Sequence, residues 1–154
     1  MSGIGRSPAG RALPASALAE PLHCVVLSCF TDEVKLLAEV LHYFAVRLHY
    51  AATLERADFL LTVTEARVVI CDAVFLDGSW NDCVDMLAHL HPQVSLLVMA
   101  DPVDAQFVSG ALDRGACAVS WKPLRTLELR DLIRAASEAS VERTMLTPAS
   151  AVNM

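Results

Sequence analysis

An aspartate and a lysine in this sequence each come directly after a short apolar segment. Asp72 follows VVIC, and Lys122 follows AVSW and precedes Pro123, which fixes the next turn. A carboxylate at the end of a buried strand is held rigidly, as nucleophiles and phosphoryl acceptors are, and a lysine ammonium neutralises phosphate oxygens. The two residues therefore predict a phosphoryl-accepting aspartate with a lysine beside it. The alternative is structural: the aspartate caps a turn and the lysine extends its charge into solvent.

Five segments have the length and apolar character of β-strands. Val25, Val26 and Leu27 form a continuous apolar run, which is typical of a strand buried on both faces. The strands that we expect are 23–30, 47–52, 67–71, 95–99 and 116–121. Asp72 and Lys122 would then each follow the end of a strand.

Helical patterns separate these strands. Val34, Leu37 and Leu41 form an apolar stripe for a first helix, and Asp101 followed by proline is a typical helix start. The helices that we expect are about 31–44, 54–61, 81–90, 102–114 and 126–138. The alternation predicts an α/β fold with a single five-stranded parallel sheet and helices on both faces. Ligand chemistry on such a sheet gathers at the carboxyl ends of the strands, so Asp72 and Lys122 are expected at one edge.

The chain has the size of one domain with short tails. Its 154 residues are 55% hydrophobic and 19% charged, which is enough apolar material to bury a core. Residues 1–21 are rich in glycine, serine, proline and alanine and predict a flexible leader, without the apolar region of a secretory signal. We expect a domain over residues 22–138 and a flexible C-terminal tail over residues 139–154.

Charge and cysteine content exclude several classes of function. Twelve lysines and arginines against 18 aspartates and glutamates give a net charge of −6, which disfavours nucleic acid and anionic membranes as partners. No apolar run reaches the roughly 20 residues of a membrane-spanning helix. Five cysteines without CxxC spacing indicate reduced thiols in a cytoplasmic protein, with no metal site.

The order of these motifs resembles the receiver domain of two-component response regulators. The resemblance covers residues 22–138 and depends on VVICD, LLVMAD and RGACAVSWKP. It implies a (βα)5, CheY-like fold of the flavodoxin type, in which Asp72 matches the aspartate phosphorylated by a histidine kinase with the help of Mg²⁺. Lys122 matches the lysine that contacts the phosphoryl group.

The positions that hold the metal in receivers differ in this chain. Receivers carry two acidic residues just after the first strand, and Ser28 and Cys29 occupy those positions here. The nearest acids, Asp32 and Glu33, come about a helical turn later. Because Mg²⁺ prefers carboxylate oxygens and water, serine and cysteine are weak replacements. We therefore expect no cofactor, with Mg²⁺ bound weakly at most.

Two further positions lack the receiver's switching groups. Ala100 stands where receivers carry a threonine or serine hydroxyl, and Val119 stands where they carry a mobile aromatic ring. Loss of metal ligands and of a hydroxyl removes charge stabilisation from phosphoryl transfer. The sequence thus favours an atypical receiver, without enzymatic activity, that acts through protein–protein contacts.

Other functions stay open at this point. Asp72 could still accept a phosphoryl group, as in a functional receiver, or the protein could be a small α/β cofactor binder or a redox sensor using Cys29 and Cys71. No glycine-rich phosphate loop follows the first strand, which counts against the cofactor binder. With few residues after the last expected helix, the output is expected to be a protein partner such as a histidine kinase or downstream regulator, a homodimer through residues 102–138, or a further domain.

Overall fold

The computed structural model describes the backbone of residues 21–152 and the side chains of residues 21–145. Apart from Pro21, the expected leader lies outside the described residues. The strands are β1 (Leu22–Leu27), β2 (Val46–Ala51), β3 (Val68–Asp72), β4 (Val74–Phe75), β5 (Gly78–Ser79), β6 (Ser95–Ala100) and β7 (Ala118–Trp121). The helices are α1 (Thr31–His42), α2 (Leu54–Thr64), α3 (Trp80–Leu90) and α4 (Thr126–Val152), with a 3₁₀ turn at Pro102–Asp104.

Five strands form one parallel sheet in the order β2-β1-β3-β6-β7, which confirms the expected α/β fold. Every residue of β3 and β6 is buried, because these strands lie inside the sheet and are covered on both faces. The register aligns Asp72 of β3 with Met99, and Ala100 of β6 with Trp121. The carboxyl ends of β3, β6 and β7 therefore meet at one edge.

The core has two layers, one on each face of the sheet. Alternate residues of each strand point to opposite faces, so Val25 packs in one layer and Val26 in the other. The first layer includes the buried faces of α2 and α3, with Leu61 and Leu87 among them. The second contains the α1 stripe with Leu37, together with residues from α4. Both faces are thus covered by helices, as the alternating pattern predicts.

A two-stranded hairpin that the sequence analysis did not predict follows β3. β4 and β5 pair antiparallel, and the backbone N–H of Trp80 donates to the carbonyl of Ala73. Gly78 is needed here, because a Cβ at this position would lie 2.7 Å from a carboxylate oxygen of Asp82. That carboxylate closes a capping box with Ser79 at the start of α3. The hairpin thereby brings the chain directly from Asp72 into a well-capped helix.

The helix expected over residues 102–114 does not form, and this prediction was wrong. Pro102–Asp104 is a 3₁₀ turn and the residues after it form successive turns whose backbone hydrogen bonds mostly span three residues. The side chain of Asp101 makes no capping hydrogen bond. Ser109 and Gly110 have low helix propensity, and the Ser109 hydroxyl bonds the carbonyl of Gln106, which competes with a helical ladder.

The last helix extends past its expected end at Glu138, so the boundary of the flexible tail at residue 139 is too early. Ser140 is buried against the rest of the protein. The Arg143 guanidinium donates to the carbonyl of Gln93, 3.1 Å away, and to the hydroxyl of Ser95. These contacts hold the added turns against Gln93 and the first residue of β6, which the local sequence does not reveal. Within residues 21–152, no helix combines the length and the apolar character that crossing a membrane requires.

Candidate functional site

Asp72 is the last residue of the central strand β3 and is almost fully buried, at 2% exposure. The next residue is held in place because the N–H of Ala73 donates to the carbonyl of Met99. A buried carboxylate needs hydrogen bonds or a counter-charge, since burial alone strongly disfavours its ionised form. The neighbouring strand ends provide both.

Lys122 supplies the counter-charge. Its backbone N–H donates to the carbonyl of Ala100, which continues the β6–β7 pairing, and its ammonium nitrogen lies 2.8 Å from Asp72 Oδ1. The same nitrogen is 3.3 Å from Glu33 Oε1 and 4.6 Å from the centre of the Phe30 ring. Neither carboxylate oxygen accepts a hydrogen bond of ordinary geometry, so the charge of the ammonium holds this group together. The sequence pair Asp72 and Lys122 is therefore brought together.

Opposing effects act on the pKa of Lys122. Partial burial lowers it, because a charged ammonium loses hydration. The contact with Asp72, and then the negative charge of Glu33, favour the charged form more strongly, so the pKa of Lys122 is raised above its ordinary value. The lysine is a fixed positive charge at neutral pH.

Ser28 holds the other oxygen of Asp72. It is fully buried, its N–H donates to the carbonyl of Ala51, and its hydroxyl donates to Asp72 Oδ2. The same hydroxyl oxygen accepts the N–H of Phe30 at 3.0 Å. Both oxygens of Asp72 are thus engaged, one by a hydroxyl from the end of β1 and one by the ammonium that follows β7.

The other three positions that the sequence analysis compared with receivers lie in different surroundings. Cys29 is exposed and lines the cleft beside Lys122. Ala100 is buried next to Asp72 and supplies no hydroxyl. Val119 is not brought to this site: it packs against the core and lines a separate groove beside Trp121.

Glu33 is a site residue that the sequence analysis placed too far away. It lies in the first turn of α1, and side chains of a helix lean towards its N-terminus. Since α1 begins at the carboxyl edge of the sheet, Glu33 reaches back to Lys122. The helical position, rather than the distance along the chain, was the signal that could have identified it.

An open cleft of about 700 Å³ adjoins the buried carboxylate. It is lined by residues from the β1–α1 turn, the first turn of α1, the position after β6 and the positions after β7: Cys29, Phe30, Thr31, Asp32, Glu33, Asp101, Lys122 and Pro123. A smaller cavity of about 160 Å³ shares Phe30, Asp101 and Lys122 with the cleft and reaches Asp72. The site is therefore open to molecules from solution, although Asp72 itself is enclosed.

The donors at this edge do not fit Mg²⁺. The ion demands octahedral oxygen ligands, usually carboxylates and water. Beside Asp72, a hydroxyl and a thiol occupy positions 28 and 29, and the Lys122 ammonium stands between Asp72 and Glu33. In the described part of the chain, no group of three or more histidine, cysteine, aspartate or glutamate side chains could hold a metal.

Comparison with solved structures identifies the fold. The chain is similar to the signal receiver domain of an HD domain-containing protein from Pseudomonas fluorescens Pf-5, with 21% identity, a TM-score of 0.69, and 80% of this chain and 98% of that chain covered. It is also similar to a CheY-like response regulator receiver domain protein from Methanospirillum hungatei JF-1, with 14% identity and a TM-score of 0.70. The match covers 80% of this chain and 99% of that chain. The chain is similar as well to a structure described as an adenylate cyclase from Rhodopirellula baltica, with 11% identity and a TM-score of 0.74. That match covers 84% of this chain and 96% of that chain.

These similarities show that the chain has the fold of response-regulator receiver domains, as its motifs predict. No protein-family model and no curated protein matches the sequence.

Proposed function

We propose that this protein is a signal-transduction module with a receiver fold that acts by binding other proteins and does not depend on Mg²⁺-assisted phosphorylation. The observation that carries the proposal is the enclosure of Asp72 between the Ser28 hydroxyl and the Lys122 ammonium, with Ser28 and Cys29 at the positions where receivers carry metal-binding acids. We further propose that the chain has no catalytic activity of its own.

The cost of the missing groups supports this proposal. Phosphoryl transfer is catalysed mainly by neutralising the oxygens of the transferred group. Loss of one such electrostatic donor commonly raises the activation free energy by roughly 2.7–4 kcal/mol, which slows the reaction about a hundred- to thousandfold. Here the metal ligands are replaced by Ser28 and Cys29, and Ala100 supplies no hydroxyl. Several losses of this size would make phosphorylation too slow to serve as a signal.

The experiment is intact-mass analysis after incubation with acetyl phosphate, with and without Mg²⁺. We expect no phosphate adduct on the wild-type protein, and the Asp72→Ala variant serves as the control for modification elsewhere. A receiver domain with a complete acidic pair, treated in parallel, shows that the phosphodonor is active. A Mg²⁺-dependent adduct on the wild type that disappears in Asp72→Ala would overturn the proposal.

A functional phospho-accepting receiver is the second candidate. The specific observation in its favour is the 2.8 Å pair of Asp72 and Lys122, the two residues that the receiver resemblance assigns to phosphoryl acceptance and phosphate contact. The mass experiment separates the two candidates directly.

The partners that we propose are proteins: a histidine kinase, a downstream regulator, or a second copy bound through residues 102–138. A groove of about 440 Å³ in that range supports the last of these. It lies between the irregular segment after β6 and the edge strand β7, and Leu112 and Trp121 line it with 59% and 46% of their surfaces exposed. Exposed apolar surface of this kind is typical of protein interaction sites.

We propose a reducing, cytoplasmic location, supported by five free cysteines. The redox alternative is disfavoured by the state of Cys71. That thiol is fully buried, and its pKa is raised by the contact with Cys83 and by burial. Because the thiolate is the reactive form, a raised pKa makes Cys71 a poor partner for Cys29 in a thiol switch.

A further inference from the structure

The carboxyl edge of the sheet has an exposed apolar rim around its polar cleft. Phe30, Val74, Leu76 and Val103 expose 52%, 56%, 71% and 90% of their surfaces. Phe30 and Val74 line the cavity that reaches Asp72, Leu76 is in the turn of the β4–β5 hairpin, and Val103 belongs to the 3₁₀ turn after β6. We call these four residues and the cleft the edge face. Apolar side chains around a concave polar centre are typical of a binding surface rather than of ordinary solvent-facing loops.

The centre of the edge face carries an excess of negative charge. Lys122 is already shared by Asp72 and Glu33. Within the residues whose side chains are described, no cation lies within ion-pair distance of Asp32, Asp101 or Asp104. These three acids line the cleft or the adjoining cavity, so the charge left over is open to a binding partner.

Two further features favour a cation here. The floor of the smaller cavity includes Asp72, which is 2% exposed and shares the one ammonium of Lys122 with Glu33. The half-exposed ring of Phe30 already has the Lys122 ammonium 4.6 Å from its centre, and aromatic faces attract guanidinium and ammonium groups. A buried carboxylate and an aromatic surface therefore adjoin the cleft in which Asp32 and Asp101 have no counter-ion among the described side chains.

We propose that the edge face is a docking site for a protein segment that presents an arginine or lysine flanked by apolar side chains. The basic side chain enters the cleft between Asp32 and Asp101, and the apolar neighbours cover Phe30, Val74 and Val103. Charge complementarity identifies the occupant as basic, and the same negative charge disfavours a nucleic acid or an anionic membrane. The proposal rests on the proposed function as a protein-binding module and names the surface and the chemistry of one partner.

Two short peptides test the charge requirement. Acetyl-Leu-Arg-Phe-amide and acetyl-Leu-Glu-Phe-amide are titrated separately into the ¹⁵N-labelled full chain at low salt, and backbone amide signals are followed by NMR. We expect the arginine peptide to shift the amides of Phe30, Asp101 and Val103. The glutamate peptide should leave them in place. Shifts from the arginine peptide should weaken as salt is added, because these charges are exposed.

Matched variants test the residues. Asp32→Asn combined with Asp101→Asn removes two exposed charges from the cleft, and we expect arginine-peptide binding to weaken about threefold to tenfold. Glu39→Gln combined with Asp113→Asn removes two exposed charges elsewhere and should leave binding unchanged. The amide spectrum of each variant shows directly whether it is folded.

Three results would overturn the proposal: no shift with either peptide, equal affinity for both peptides, or shifts confined to another face, such as the groove beside Trp121. None of them bears on phosphorylation, so failure of this inference is distinguishable from failure of the proposed function. Conversely, a phosphate adduct on Asp72 would overturn the proposed function, whereas the docking inference would still be decided by the peptide titration alone.

Discussion

At the scale of single residues, the site is governed by the partners of a buried carboxylate. Asp72 receives a hydrogen bond from Ser28 on one oxygen and faces the Lys122 ammonium on the other. Removal of one partner of a buried charge is costly because the remaining charge keeps its desolvation penalty. Ser28 therefore acts here as a stabilising neighbour of Asp72, in a position where receivers carry a metal-binding acid.

Ser28→Ala tests that role. The substitution removes a hydrogen bond to a buried carboxylate, and we expect the free energy of unfolding to fall by about 1–3 kcal/mol. Urea denaturation followed by circular dichroism measures it. Ser109→Ala, which removes an exposed hydroxyl bonded to the carbonyl of Gln106, is the matched control and should change stability by less than about 0.5 kcal/mol. Equal effects of the two substitutions would contradict the role assigned to Ser28.

At the scale of elements, the five strands of the parallel sheet were predictable, whereas the β4–β5 hairpin, the turns after Asp101 and the extension of α4 were not. A buried parallel strand is marked by its own apolar run, so β1, β3 and β6 were found from the sequence to within a few residues. The segment after Asp101 carries a helix-start signal, but Ser109 and Gly110 weaken the interior of the helix and turns form instead. The part of α4 after Glu138 contacts Gln93 and Ser95 through Arg143, and no local pattern contains these contacts.

The same distinction applies to the candidate site. Asp72 and Lys122 could be predicted because each directly follows an apolar run, and parallel strands end at one edge. Glu33 was missed because its contact with Lys122 depends on how the first turn of α1 leans over that edge. The hydrogen bond from Ser28 to Asp72 joins residues 44 apart in the sequence and appears only once the strands are paired.

Arg143→Met tests whether the extension of α4 is held in place. Methionine keeps the length of the side chain but cannot donate to Gln93 or Ser95. We expect the free energy of unfolding to fall by about 0.5–1.5 kcal/mol, since Ser95 keeps its hydrogen bond to the carbonyl of Ala136 and is not left without a partner. Glu142→Gln, one residue earlier and exposed, is the control. If chemical denaturation gave the same stability for both variants, the added turns would not contribute to the fold.

At the scale of the whole molecule, the two proposed interaction surfaces are lined by different residues. The edge face surrounds the cleft at the ends of the strands, whereas the groove with Leu112 and Trp121 lies between the segment after β6 and the edge strand β7. An edge strand with unpaired backbone groups readily associates with another chain. A homodimer through residues 102–138 would use this groove and leave the edge face free for a partner of another kind.

Leu112→Ser combined with Trp121→Ser tests the homodimer. Loss of two large exposed apolar side chains should shift the monomer–dimer equilibrium by at least about tenfold towards monomer, because such side chains supply most of the binding energy of an interface. Sedimentation equilibrium at several protein concentrations measures the shift. Leu36→Ser on α1, which is 66% exposed and lies outside the groove, should leave the equilibrium unchanged. A wild-type chain that stays monomeric at all concentrations would rule out this interface.

The environments of the two tryptophans have a practical consequence. Trp80 is 3% exposed and its indole N–H donates to the carbonyl of Phe107, whereas Trp121 is 46% exposed beside the groove. Water-soluble quenchers such as iodide should therefore quench the fluorescence of Trp121 and leave that of Trp80 largely unchanged. The protein contains two native fluorophores, one that reports on the integrity of the core and one that reports on the outer surface of β7. Unfolding and docking can consequently be followed separately in one sample, without any attached dye.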